Sequence, residues 1–491
     1  MSDASAVTAK TQNGLLEGAR EGNALSFKSI PYAAPPLGEL RWKPPQPVQP
    51  WTGTRGAKSF GDDCMQAPIP RLRGPARSED CLYLNVWTPA DRAGEKLPVF
   101  VWVPGGGFVG GSGSDRRADG AKMAAMGVVV VTLNYRVGMF GYLAHKELSA
   151  ESGWGASGNY GMMDIVAAFE WVRDNIAAFG GDPGRVTAGG VSAGSASLGL
   201  LMASPHVRGL YHRAILQSPG CWRPLTPLDE AEAAGASLGL DLKALRALDA
   251  DTLFSNTVRL NPSVRALTGP RTLRPINDGW LLAEDDRNIW KRGEFEQMPL
   301  IVGNMDDEGS LFTGTWPVKT QADYDALLEA SFGDMAAEAA RVYPARNEAE
   351  VAEQLAFMFG DTQFTYGAWG MAEEAVKAGQ PVWRYLLTRH PGSRAARVRH
   401  GEDVVSTFGN LQHADAAEGA IGPADDHVSN AIMRAWVRFT CGEDPCAEDL
   451  DWPAHQAGSG AYLDFGDDLQ AAQDWRKDQI AFLDRYFGRD R

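Results

Sequence analysis

Short apolar, β-branched runs alternate with helix-period segments along this chain, and that alternation restricts the fold more than any other feature. Residues 98–103, 128–133, 185–189, 213–217, 299–302 and 382–387 read as buried strands. Between two of them, Met162, Val166, Phe169, Val172, Ile176 and Phe179 recur at steps of three and four, and Gly180 is placed to end the helix. Such a pattern predicts an α/β fold: a large, mostly parallel sheet with helices on both faces. Segments 222–295 and 318–380 are richer in Ala, Glu and Leu and are expected to form a helical cap over the sheet. No internal repeat or low-complexity linker interrupts residues 1–491, so a single domain is expected.

Acidic residues outnumber basic ones by 62 to 47, and the net charge is −15. That field repels phosphate backbones, and no long basic run offsets it, so nucleic acid is not an expected partner. The longest apolar stretch, 126–133, is too short to span a bilayer. Met1-Ser2-Asp3-Ala4-Ser5 has neither a positive n-region nor an apolar h-region. The expectation is a cytoplasmic chain as written, or a periplasmic or secreted one if a leader has been removed. None of the five cysteines has zinc-site spacing with histidine, so no metal is expected. Sequence leaves the compartment and the oligomeric state open.

Three separated segments could supply acyl-transfer chemistry. Gly190-Val191-Ser192-Ala193-Gly194 follows one predicted strand and precedes a helix of small residues. In a chain with 55 glycines the pentapeptide alone is weak, but a strand-to-helix turn is the setting that exposes a nucleophilic serine. Asp307-Glu308-Gly309 and then His400-Gly401-Glu402-Asp403 follow in the order serine, acid, histidine, which is the order of α/β-hydrolases. A hydroxyl is a poor nucleophile until a base takes its proton, and the base needs an acid to orient it. Pro104-Gly105-Gly106-Gly107-Phe108 directly follows another predicted strand. Residues without side chains there let backbone N–H groups converge on an oxyanion, joined by the N–H of Ala193. Each such donor contributes on the order of 3 kcal/mol to lowering the barrier; a merely flexible loop is the alternative.

The histidine must be chosen from eight. His390 is expected near a strand end as a satisfied core or edge imidazole. His206 and His212 flank a turn, and His145, His413, His427 and His455 have polar neighbours and are expected to be solvated. His400 follows the acid in the required order and lies in a glycine-containing loop.

Taken together these residues resemble the type-B carboxylesterase and cholinesterase-like family, which includes the bacterial p-nitrobenzyl esterases. The resemblance runs from Phe27-Lys28-Ser29-Ile30-Pro31-Tyr32-Ala33 and Arg41-Trp42, through Ser78-Glu79-Asp80-Cys81-Leu82-Tyr83-Leu84-Asn85-Val86, to Asn134-Tyr135-Arg136. It continues in Gly158-Asn159-Tyr160-Gly161, Ala178-Phe179-Gly180-Gly181-Asp182-Pro183, Ala214-Ile215-Leu216-Gln217-Ser218 and Phe408-Gly409-Asn410-Leu411. It implies Ser192, Glu308 and His400 as a catalytic triad, with Asp306 and Asp307 as neighbours of the acid. It implies Gly106, Gly107 and Ala193 as oxyanion donors and Ser218 as a support for Glu308. It further implies a Cys64–Cys81 disulfide and scaffold ion pairs of Arg41 with Glu79 and Arg136 with Asp164. The implied activity is hydrolysis of a small-molecule carboxylic ester through an acyl-enzyme, with no cofactor. A carbamate or amide hydrolase, or a non-catalytic binding protein, are the rival readings.

Two positions depart from the family pattern. Val191 stands where the family usually has Glu, and Pro104 where it usually has His or Tyr. Neither removes a triad member or an oxyanion donor. Loss of a carboxylate beside Ser192 argues against cationic substrates. Arg71, Arg73 and Arg77, with Arg394, Arg397 and Arg399, are either ordinary surface charge or the mouth of a pocket for an anionic ester. An ester of a polycarboxylic acid, as cleaved by the fumonisin esterases of this family, would suit such a mouth. Phe108, Trp222, Phe312 and Trp316 are candidate pocket walls.

Overall fold

The computed structural model describes residues 7–89, 94–260, 266–393, 396–414, 419–447 and 449–488. Eleven strands form one sheet: β1 (Ala19–Glu21), β2 (Ala24–Pro31), β3 (Tyr83–Thr88), β4 (Leu97–Val103), β5 (Val129–Leu133), β6 (Gly181–Val191), β7 (Arg213–Gln217), β8 (Leu300–Met305), β9 (Val382–Leu387), β10 (Ala461–Phe465) and β11 (Leu469–Gln473). Their spatial order is β11-β10-β9-β8-β7-β6-β4-β5-β3-β2-β1. From β5 through β10 every neighbouring pair is parallel, and the antiparallel pairs lie at the two flanks. The α/β expectation is met by an α/β-hydrolase sheet.

Side-chain alternation explains why the central strands read as unbroken apolar runs. In β4, Val99, Val101 and Val103 enter one core cluster, while Phe100 and Trp102 enter the other, across the sheet. Both faces are covered, so no position in the strand is free to be polar. Helix α1 (Tyr160–Asn175) packs on the first face, and Gly180, at φ 82°, ends the 3₁₀ turn that follows it.

Strand β6 is longer than the expected 185–189, because residues 181–184 join it at one end, next to a register shift opposite β4, and residues 190–191 at the other. Helix α2 (Ala193–Met202) follows β6 after a single residue. Shorter helices occupy much of 222–295, together with a two-stranded pair, Thr226–Pro227 and Ile276–Asn277. Helices α3 (Ser310–Thr313), α4 (Glu348–Gly360), α5 (Tyr366–Lys377), α6 (Asp403–Thr407), α7 (Pro423–Cys441) and α8 (Lys477–Phe487) complete the parts used below. No helix among the described residues is long and apolar enough to cross a membrane.

Cys64 and Cys81 are disulfide-bonded; Cys221, Cys441 and Cys446 are free. Arg41 clasps Glu79 at 2.5 and 2.7 Å, and Arg136 clasps Asp164 at 2.7 and 2.8 Å, both as two-point pairs in the interior. Two histidines contradict their expected solvation. His145 is buried and caps a short helix by accepting from the Glu147 N–H, and His455 is buried with Nε2 2.9 Å from Glu373. Polar neighbours in sequence do not report what the chain folds over a residue.

Candidate active site

Ser192 occupies the one-residue turn between β6 and α2, at φ 57° and ψ −121°. A non-glycine residue holds this left-handed conformation only where its surroundings enforce it. The enforcement comes from its neighbours. The Ser192 N–H donates to the Gln217 carbonyl at 2.9 Å, and the flanking glycines lie against the end of β4. A Cβ on Gly194 would sit 2.1 Å from the Val103 oxygen, and one on Gly190 would sit 3.0 Å from the same atom. Both glycines of the pentapeptide are therefore demanded by close backbone approach.

Glu308 lies just beyond β8 and is buried. Its Oε2 is 2.5 Å from His400 Nδ1. Its Oε1 accepts from Ser218 Oγ at 2.6 Å, the Met305 N–H at 2.9 Å and Asn304 Nδ2 at 3.1 Å. A carboxylate held by three donors on one oxygen has little freedom, so it fixes the imidazole it contacts. Asn304 carried no signal in the sequence, since nothing local marks a strand-end amide as aimed at a residue four places on.

The neighbouring acids do other work. Asp306 accepts from the Val398 N–H at 2.7 Å, and burial raises its carboxyl to about 7. Asp307 accepts from the Ser310 N–H at 3.0 Å at the start of α3. His400 itself is buried; its Nε2 bonds to no described residue and, with Ser192, lines a cavity of about 480 Å³. The row is thus closed between Glu308 and His400, while the serine and imidazole meet across the cavity without a direct hydrogen bond.

Gly105, Gly106 and Gly107 line the same cavity. Gly106 (φ 134°) could not carry a Cβ, which would lie 2.1 Å from the Gly110 oxygen, and Gly107 has φ 63°. Among the described residues no acceptor takes the N–H of Gly106 or Gly107. The Ala193 N–H opens α2, where the first turn has no intrahelical acceptor.

Among the described residues four arginines, Arg71, Arg117, Arg274 and Arg399, line the cavity against two carboxylates, Asp115 and Glu402. Asp115 receives Arg71 and Arg117 at 2.9 Å each. Burial pushes its carboxyl up, but Arg117 and Arg71 outweigh this and hold it below the usual range. Arg399 pairs with Glu402 at 2.7 Å.

Of the arginines singled out by sequence, Arg73 pairs with Asp119, Arg77 lies toward Asp251 and Arg397 pairs with Glu353, all away from the cavity lining. Arg394 falls outside the described residues. Sequence reasoning missed Arg117 and Arg274. Phe312 and Trp316 line the cavity, whereas Trp222 and Phe108 are buried elsewhere. Val191 and Pro104 both line it, so the two departures from the family pattern face the reacting space with apolar surface. No cluster of metal-ligating side chains is found among the described residues.

Comparison with known proteins bears on this arrangement. The sequence model of the carboxylesterase family matches residues 5–483. The chain is 43% identical to the fumonisin B1 esterase of Sphingopyxis macrogoltabida over 473 residues, covering 94% of this chain and 87% of that protein. It is 35% identical to the para-nitrobenzyl esterase of Bacillus subtilis, covering 91% and 92%. A solved PNB esterase structure superposes with a TM-score of 0.85 at 33% identity, covering 97% of this chain and 99% of that one.

Proposed function

The chain belongs to the carboxylesterase family and hydrolyses carboxylic esters; we propose that it does so with Ser192 as nucleophile, His400 as general base and acid, and Glu308 as the orienting acid. The observation that carries this assignment is the Glu308–His400 contact at 2.5 Å, with Nε2 of that imidazole bonded to no described residue and the ring lining the same cavity as Ser192. Ser192 Oγ attacks the ester carbonyl while His400 Nε2 takes its proton, and Glu308 holds the Nδ1 proton. The carbonyl oxygen, now an anion, rests on the N–H groups of Gly106, Gly107 and Ala193. His400 then gives its proton to the leaving alcohol, and water repeats the sequence on the acyl-enzyme. Ser218 acts through Glu308, by its bond to Oε1.

We read the substrate as an anionic ester, in keeping with an ester of a polycarboxylic acid. Four cavity arginines against two carboxylates make a locally positive wall on a chain of net charge −15. The likeness to a fumonisin B1 esterase supports the same reading. We also read residues 1–491 as one domain in which 222–295 and 318–380 cap the sheet. The decisive experiment pairs labelling of Ser192 by an organophosphate with turnover of matched neutral and polycarboxylate esters. An unlabelled serine rejects the triad; equal turnover of both esters rejects the anionic substrate.

A further inference from the structure

Glu308 is not the only group that fixes His400. The imidazole touches two aromatic rings: Phe364, with centroids 4.1 Å apart and planes 30° from parallel, and Phe312, edge-on at 5.0 Å; the two rings are themselves 5.8 Å apart and so adjoin each other. Phe364 belongs to one turn of π-helix, Asp361–Thr365, that joins α4 to α5. A π turn inserts an extra residue into the helix and weakens its hydrogen-bond ladder, so it persists where other contacts hold it.

Those contacts are present on successive residues. Asp361 receives Arg476, at the start of α8, through Nε at 2.9 Å. Thr362 Oγ1 turns back to the carbonyls of Met358 and Phe359 at 2.8 and 3.1 Å. Gln363 donates to the Leu267 carbonyl at 2.9 Å and accepts from Arg223. Phe364 follows with no polar group to satisfy, and its ring covers the imidazole.

We propose that Phe364 is a positioning residue for ester hydrolysis: the π turn lays its ring face on His400, keeping the imidazole in the orientation set by Glu308 and stabilising it while it carries the serine proton. This rests on the triad reading above. The two partners act along different directions, Glu308 on the ring edge through Nδ1 and Phe364 on the ring face. During acyl transfer the imidazole becomes a buried cation, and the face of an aromatic ring attracts a cation through its quadrupole. Phe312 meets the imidazole edge-on and packs against Phe364 at 5.8 Å, bracing that ring where it lies on the imidazole.

The charged groups around His400 are Glu308, Asp403 three residues on, Arg399 and Glu402 on its own loop, and Arg117, whose Nη1 donates to the Gly401 carbonyl at 3.3 Å. None of them changes when Phe364 is altered.

The test replaces Phe364 with mono-, di- and trifluorinated phenylalanines, which keep the ring's shape while draining its face of negative charge. Alongside them, Phe364→Leu removes the ring. The expected result is a stepwise fall in kcat/KM with fluorine number, reaching about fivefold, or about 1 kcal/mol at 1.36 kcal/mol per tenfold. KM should stay unchanged. The acid limb of the pH profile should move to lower pH, because a less stabilised imidazolium gives up its proton more readily. Phe364→Leu should lose more kcat than any fluorinated form. A flat fluorine series, or a loss confined to KM, in protein whose Ser192 is fully labelled by an organophosphate overturns the proposal while leaving the triad standing. Failure of labelling in the unaltered protein points instead to the triad.

Discussion

Ser218 Oγ donates a 2.6 Å hydrogen bond to Oε1 of Glu308, the carboxylate oxygen that does not touch His400. The residue before it, Gln217, ends β7 and accepts the Ser192 N–H through its carbonyl at 2.9 Å. One strand end thereby ties the backbone of the serine to the side chain of the acid.

Ser218→Ala removes one of three donors on that oxygen and leaves Met305 N–H and Asn304 in place. A hydrogen bond to a charged group contributes about 1.5–3 kcal/mol, so kcat should fall about 10- to 100-fold. KM should hold. Steady-state kinetics on a small neutral ester checks this, and an unchanged kcat would show that Glu308 needs no help from Ser218.

The three consecutive acids separate cleanly by function. Glu308→Gln keeps the shape but lets His400 choose the wrong tautomer, and kcat should drop about 10³- to 10⁴-fold. Asp306→Asn keeps a partner for the Val398 N–H and should leave kcat within about threefold, a range that stability effects alone can produce. The reverse ranking would reassign the acid.

Arg117→Gln leaves Arg71 to pair with Asp115 and removes one positive charge from the cavity wall. For a polycarboxylate ester, kcat/KM should fall about tenfold, the scale of one charge-assisted contact, with little change for a neutral ester of the same size. Raising the salt from low to high ionic strength should reproduce part of that loss in the unaltered protein. A neutral ester that suffers equally would mean that the arginine serves packing.

Asp403 is fully interior, with Gln217 Nε2 at 2.5 Å and the Tyr385 hydroxyl at 3.1 Å, and burial lifts its carboxyl to about 6 from 3.8. A raised acid favours the protonated folded state, so its ionisation costs stability as pH climbs from about 4 to about 6 and fully above that. Asp403→Asn should therefore melt above the parent by about 1–3 °C at pH 8. The two should converge below pH 4. Thermal unfolding followed across that range checks the sign; a parent that gains relative stability with pH would contradict it.

Much of this protein could be read from its order of residues. Alternating apolar runs and helical stripes specify a sheet covered on both faces, because a strand buried on both sides must be apolar throughout and a helix packing on it must be apolar along one stripe. The pentapeptide 190–194, set between an apolar run and a helix of small residues, marks a tight turn at Ser192 in the same local way. These are constraints that a short stretch of chain carries by itself.

Other features depended on which strand ends meet. Glu308 and His400 lie 92 residues apart, and whether Asp306, Asp307 or Glu308 reaches the imidazole turns on a few ångströms of loop geometry beyond β8. Arg274 reaches the cavity from the helical segment and Arg73 is drawn off to Asp119, though nothing in their sequence neighbours distinguishes them. The sequence by itself determined the layered sheet and the set of candidate reactive groups, because periodicity and the strand-to-helix setting of a short motif are local properties. Only the tertiary structure decided which acid and which aromatic rings meet His400 and which arginines line the cavity beside Ser192, because hydrogen bonds and charge contacts depend on distances that the folded sheet alone sets.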